Sequence, residues 1–243
     1  MTQSVWPRIQ TLGTDGFVIR FADQLNEPAN RAALALRGAI EATGWDGLEE
    51  VTSALASTAL RLSPFADFDR FESQLTALVV SRDWTAEPLP TGRRLYKIPT
   101  VYGTELAPQL GQAAAAAGVT AQEAAAQLAK ARTRVITLGF APGQPYLGTL
   151  DPWWDIPRLS QITPQVPAGA LVLAIRQFVL FAVANPTGWM HVGQTAVQLF
   201  QPDADRSFML LPGDEVMFTS VPEADYARIE NDPYGGAEWE AIP

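Results

Sequence analysis

The 243-residue sequence has no cysteine. That excludes disulfides, thiol nucleophiles, cysteine-ligated zinc and iron–sulfur clusters together. It fits a reducing compartment, so a cytoplasmic location is expected. There is one histidine, His191. A multi-histidine metal site is therefore ruled out, and a Ser-His-Asp triad would have to use that single ring. Basic residues are scarce: 17 Lys and Arg stand against 26 Asp and Glu, a formal net charge of -9. A polyphosphate binder needs a basic face, and anionic bilayers repel such a chain, so neither nucleic acid nor membrane is expected as a partner. No apolar run reaches the roughly 20 residues that span a bilayer. The opening MTQSVWPRIQTLG lacks a basic stretch followed by an apolar one, so no signal peptide is expected.

What is present is an ordinary globular composition, 47% hydrophobic. A chain of this length buries roughly 70% of the surface its unfolded form exposes, enough for one large core or two small ones. Residues 8–12 and 16–21 read as two strands around the turn Thr14-Asp15-Gly16. Asn26 and Pro28 open a helix through Ala42, and Gly44 closes it. Residues 51–62 are compatible with a helix or a strand. Residues 67–81 carry Phe68, Phe71, Leu75 and Leu78 at helical spacing. Residues 84–92 (WTAEPLPTG) have two prolines, a glycine and no periodicity, and read as a linker. The expected domains are 1–91, a small α+β unit, and 92–243.

The second part begins with a strand at 94–98 and a loop at 100–106. An alanine-rich helix follows at 110–117, and a capping box, Thr120 with Glu123, opens another. Short apolar strands then recur between Gly/Pro turns, at 134–138, 170–175, 179–184, 196–200 and 215–219. That spacing predicts an antiparallel barrel.

Three Gly/Pro-rich clusters are candidates for chemistry. GFAPGQPYLG, residues 139–148, has a rigid backbone plus the ring and hydroxyl of Tyr146. An ordinary strand-to-loop turn explains it equally. IPRL and TPQVPAG, residues 156–159 and 163–169, specify an extended loop. Its Arg158 suits a carboxylate or phosphate, or a surface salt bridge. NPTGWMHVGQT, residues 185–195, puts Trp189 and His191 on one side of a strand. Trp189 suits the floor of a pocket. His191 is either a proton carrier or a satisfied core group. Glu105, beside a glycine in a loop, is a further candidate acid. Pro212-Gly213-Asp214 reads as a structural turn, and Asp203/Asp205 and Glu49/Glu50 as solvated charges. No calcium-type ligand loop, no phosphate loop and no biotin-attachment motif occurs.

Taken in order, GFAPGQPYLGTLDP, IPR, TPQVPAGALVLAIRQ, NPTGWMHVGQTAVQLF and LLPGDEVMF resemble a family of 5-oxoprolinase subunits. It is also known as allophanate hydrolase subunit 1 and as the KipI-type sporulation kinase inhibitors. The family corresponds to one half of the carboxyltransferase domain of urea carboxylase (subdomains C and D). The resemblance runs from about Ile98 to Phe218. It implies a ferredoxin-like α+β amino-terminal domain, an all-β cyclophilin-like barrel, and a companion subunit carrying the other half of the unit. The implied activity is ATP-dependent opening of a cyclic amide, 5-oxoproline to glutamate, at a site shared between the subunits. ATP would be a co-substrate of the complex, with no cofactor bound by this chain alone and no metal. The small-molecule site would be shaped by Pro142, Gly143, Tyr146, Arg158, Gly169, Gln177, Gly188 and Trp189, with Arg158 as anion clamp. No catalytic residue is assigned.

The sequence departs from the family pattern at Gln144, Gln165, Phe178, Thr187 and Gln194, and Leu128 stands where a histidine is common. Loss of two cations, at Gln165 and Gln194, predicts weaker anion binding. Bulk at Thr187 and Phe178 predicts a narrower pocket. Two further readings stay open: a non-catalytic regulator of the kinase-inhibitor type, and a component of urea or allophanate metabolism.

Overall fold

Local signals build the first of two compact units, Met1–Thr91 and Gly92–Ile242. The computed structural model describes residues 6–204 and 206–243; the opening residues MTQSV and Asp205, named above, lie outside the described residues. Strands β1 (Arg8–Leu12) and β2 (Gly16–Arg20) form a hairpin. Helix α1 (Glu27–Glu41) starts where the Asn26 side chain accepts from the Ala29 N–H, with Pro in the first turn. Strands β3 (Leu48–Ala54) and β4 (Ser57–Leu62) follow, then helix α2 (Phe68–Val80), capped by Asp67.

The four strands form an antiparallel sheet in the order β1-β2-β4-β3. Phe17 and Ile19 alternate on one face of β2, and Leu60 and Leu62 on one face of β4. All four join a core with Leu36, Ile40, Phe71 and Leu75 of the two helices. Residues 51–62 are thus two strands. Pairing resolves what composition left open: Val51 stands opposite Leu60 on the helix-covered face, and on the same face the buried Thr58 hydroxyl donates to the Ala33 carbonyl. Residues 84–92 are not a bare linker. Trp84 is buried, its indole N–H donates to the Val79 carbonyl, and it sits in a short 3-10 turn, Trp84–Ala86. One aromatic side chain outweighs the lack of periodicity, because its buried area is large.

The second unit opens with β5 (Arg93–Tyr102), longer than expected because its two halves pair differently. Then come α3 (Leu110–Ala117), α4 (Ala121–Lys130) with the Thr120/Glu123 capping box, β6 (Arg132–Leu138) and β7 (Pro145–Gly148). Next are β8 (Thr163–Val166), β9 (Ala170–Ala174), β10 (Gln177–Leu180), β11 (Asn185–Thr187) and β12 (Met190–Gln194). β13 (Glu215–Ser220), α5 (Tyr226–Glu230) and β14 (Glu238–Ile242) complete it.

Seven strands close a barrel in the order β5-β12-β9-β10-β7-β6-β13 and back to β5, and β14 adds to the first half of β5. The barrel is not wholly antiparallel: β13 and β5 run parallel. They close the barrel from distant parts of the chain, so no hairpin constrains their direction. Residues 196–200 form no strand, only a single bridge from Phe200 to Phe208, and the strand expected at 179–184 ends at Leu180.

β9 and β10 are buried on both faces. Leu171, Leu173, Phe178 and Leu180 fill the barrel interior with Leu128 and Phe218. Val172, Val179 and Phe181 form a second apolar cluster with Trp189 and Val166 on the opposite face. That second cluster positions the candidate site.

Candidate functional site

A pocket of about 380 Å³ opens on this second cluster. Val179, Phe181 and Trp189 line its apolar side, and Tyr146 stands against the Trp189 ring in an edge-to-face pair, centroids 6.4 Å apart. Arg158, Leu159 and Ile162 line it from the proline-rich segment after β7, and Pro186, Thr187 and Gly188 from β11 and the turn after it. These two segments are tied together. β8 pairs with β11, placing Thr163 opposite Thr187, and the Leu159 N–H donates to the Gly188 carbonyl at 2.7 Å. The Thr187 hydroxyl accepts from the Trp189 N–H at 3.0 Å, which orders the turn under the indole.

Among the described residues, Arg158 is the only charged one lining the pocket. Its guanidinium lies 5.5 Å from the Trp189 ring centroid, a cation–π contact that holds the head without using up its N–H donors. Among the described residues it makes no salt bridge, so the surface ion-pair alternative is not what the structure contains. Gln144, with its side chain buried, accepts from the Ala182 N–H at 3.3 Å and presents an amide to the same pocket. The chemistry is that of a binding slot: aromatic and aliphatic walls, one guanidinium, one amide and two hydroxyls. Among the described residues no carboxylate, lysine or imidazole lines it, and the Tyr146 phenol is the one side chain there of a general acid–base type. Among the described residues no cluster of three His, Asp or Glu side chains could hold a metal ion. No helix among them is long and apolar enough to cross a membrane.

Of the eight site residues expected from the sequence, Tyr146, Arg158, Gly188 and Trp189 meet at the pocket. The other four shape backbone elsewhere. Gly143 takes a φ of 75° and packs on the Leu199 carbonyl, where a Cβ would come within 2.7 Å. Gly169, φ 77°, packs on the Thr195 carbonyl, where a Cβ would approach to 2.3 Å. Gln177 pairs with Ala174 and Gly148 in the barrel wall. Pro142 is exposed in the turn before β7.

The departures from the family pattern sort in the same way. Gln144 and Thr187 line the pocket; Gln165 and Gln194 do not, so no cation is missing from the pocket at those two positions. Gln194 instead donates to the Ala168 and Thr195 carbonyls, bracing the Gly169 bend. Phe178 points into the barrel, edge-to-face with Phe218, and does not narrow the pocket. Leu128 is barrel core. Glu105 is exposed and lines no part of the pocket. Asp214 is buried, accepting from the Arg94 and Leu211 N–H groups, as befits a structural turn.

His191 is buried beside Gln194, outside the pocket lining. Burial pushes its ring below the ordinary value, so it is neutral at pH 7. Phe140, Val179 and Phe181 also line the pocket, and the sequence does not single them out. Phe140 shows one signal: an exposed aromatic at φ 74° next to a glycine. Val179 and Phe181 show none, since they lie in an unbroken apolar run.

A profile described as "Carboxyltransferase domain, subdomain C and D" matches residues 7–210. The chain is 30% identical over 227 residues to a 5-oxoprolinase subunit of Bacillus subtilis (strain 168), covering 90% of this chain and 95% of that protein. The crystal structure of TTHA0988 superposes with a TM-score of 0.71 at 30% identity, over 85% of this chain. The chain spans only 40% of the length of TTHA0988. Urea carboxylase of Kluyveromyces lactis shares the fold, with a TM-score of 0.68 at 16% identity, over 100% of this chain and 25% of that one.

Proposed function

The chain belongs to the carboxyltransferase-domain subdomain C and D family, and from that premise we propose that it is one subunit of a heteromeric, ATP-dependent amide-ring hydrolase of the 5-oxoprolinase kind. The observation that carries this reading is the pocket beside Trp189, with Arg158 as its only charge among the described residues. A five-membered lactam presents apolar ring atoms to Trp189, Val179 and Phe181. Its carboxylate matches the Arg158 guanidinium, a charge-assisted pair. Ring opening adds water across the lactam C–N bond, giving a carboxylate and an amine. The chain's own residues bind and orient the ring, and among the described residues the lining holds no carboxylate, lysine or imidazole, so a companion subunit completes the site. ATP is a co-substrate of that complex.

The reading includes a cytoplasmic location, in keeping with a cysteine-free sequence. It also includes a cyclophilin-like barrel and a ferredoxin-like first unit. The ββαββα order of that unit is a cyclic shift of βαββαβ, with β1 at the edge where the last strand would lie.

The test is a tagged pull-down from the native cell, followed by assay of the recovered complex for glutamate formed from 5-oxoproline. Arg158→Ala is expected to lower activity at least tenfold, consistent with about 1.5–3 kcal/mol for a hydrogen bond to a charged group, with assembly intact. Unchanged activity would overturn the reading. The absence of a carboxylate, lysine or imidazole from the pocket, among the described residues, also suits a regulator of the kinase-inhibitor type. Recovery of a histidine kinase without a carboxyltransferase-like companion would favour that second reading.

A further inference from the structure

A second cleft, of about 560 Å³, lies beside the first and shares Arg158, Leu159 and Ile162 with it. The two are therefore lobes on either side of one segment, with Arg158 in the lining of both. Their linings differ. The first is dominated by aromatic and aliphatic side chains. The second presents the amides of Gln109, Gln112 and Gln161 and the hydroxyls of Ser160 and Thr163, and among the described residues it has no carboxylate. Arg158 is again its only charge. In a chain of net charge -9, a cleft with a guanidinium and no acid is a local exception.

The second lobe also has an ordered wall. Gln109 leads into helix α3, yet its side chain does not cap that helix. Its amide accepts from the His191 N–H at 2.7 Å and donates to the Thr163 hydroxyl at 3.2 Å. That clip fixes β8 against β12 and sets the width of the lobe. Each lobe alone falls in the range of about 300–1,000 Å³ typical of small-molecule sites. A single five-membered lactam does not fill both.

We propose that the second lobe is a subsite for a polar extension of the ring's carboxyl group, so that the ligand class is an amide-extended cyclic amide, a 5-oxoprolyl compound ending in a short peptide unit. This rests on the reading of the first lobe as a lactam site. A lactam whose carboxylate meets Arg158 has that carboxyl group at the junction of the two lobes, and an extension from it enters the second. Side-chain amides match peptide groups as both donors and acceptors. A terminal carboxylate in the second lobe stays within reach of the same flexible guanidinium.

The experiment is calorimetric titration of the full chain, with its companion subunit where one co-purifies, against 5-oxoproline and against 5-oxoprolyl-glycine. The extended compound is expected to bind at least tenfold more tightly. In the double variant Gln112→Leu with Gln161→Leu, that advantage is expected to vanish. Both substitutions are at exposed positions, so folding is preserved, and the melting temperature verifies it. If 5-oxoproline binds and Arg158→Ala weakens it, but the extension gains nothing, the second lobe falls and the lactam reading stands. If an advantage exists but survives the double variant, the assignment of the second lobe is overturned. If neither compound binds, both readings fall together.

Discussion

Several of the residues flagged by their chemistry turn out to matter for shape. Bulk at Phe178 predicts a crowded pocket, but its ring is in the barrel interior. Phe178→Ala should therefore cost about 3–5 kcal/mol of stability, the usual effect of emptying a buried aromatic site. It should change ligand affinity little in the folded fraction. A melting curve and a binding isotherm on the same sample separate the two effects. His191 makes a second prediction. Its ordinary value is 6.5, and burial lowers it in the folded state. As pH falls through 6.5 the unfolded chain takes up a proton that the folded chain refuses. Stability should thus decline below about pH 6.5, by up to about 1.4 kcal/mol per pH unit until the folded ring also titrates. Asp214, whose carboxyl is raised by burial, contributes with the opposite sign in the more acidic window above its ordinary 3.8. Denaturant titrations of wild type and His191→Gln between about pH 7.5 and 5.5 isolate the histidine: the variant should show a shallower decline.

Among the elements, the pocket depends on segments with little regular structure of their own. β8 and β11 are strands of four and three residues, and among the described residues they pair only with each other. Their anchor to the barrel includes the Gln109 clip between His191 and Thr163. Gln109→Ala removes both side-chain bonds, each contributing about 0.5–1.5 kcal/mol. The expected outcome is faster amide exchange at Leu159 and across β8 and β11, with barrel strands such as β9 unchanged. Uniform acceleration everywhere would mean that Gln109 serves global stability instead. Elements with local signals were legible: Asn26 and Thr120 each cap the helix they were expected to open, because capping needs only neighbours within three residues. Residues 51–62, 84–92 and 196–200 were not legible, because strand pairing and the burial of Trp84 are settled by distant partners.

For the whole molecule, the consequence of the binding slot is dependence on a partner. Among the described residues the pocket lining supplies one cation, the Tyr146 phenol, and no carboxylate, lysine or imidazole. The isolated chain should therefore bind a lactam without turning it over, and ring opening should appear only on assembly with the companion subunit. Activity measured for the chain alone, the companion alone and the mixture tests this. Turnover by the isolated chain would contradict it. Half of the expected site residues, Tyr146, Arg158, Gly188 and Trp189, do converge on the pocket, and they come from segments distant in the chain. The glycines and prolines around them marked those segments, since such residues specify bends that apolar patterning cannot.

The sequence by itself determined the exclusion of cysteine chemistry, the helices opened by Asn26 and Thr120, the first hairpin and the resemblance that the family match bears out. These follow from composition and from interactions spanning a few residues. The tertiary structure alone decided which face of β10 meets the pocket. Both faces are apolar, so alternation carries no information about which side is inside. It also decided that Gln194 and Gly169 brace a bend and that Arg158 stands at the junction of two clefts. Those roles exist only once segments far apart in the chain are packed against each other.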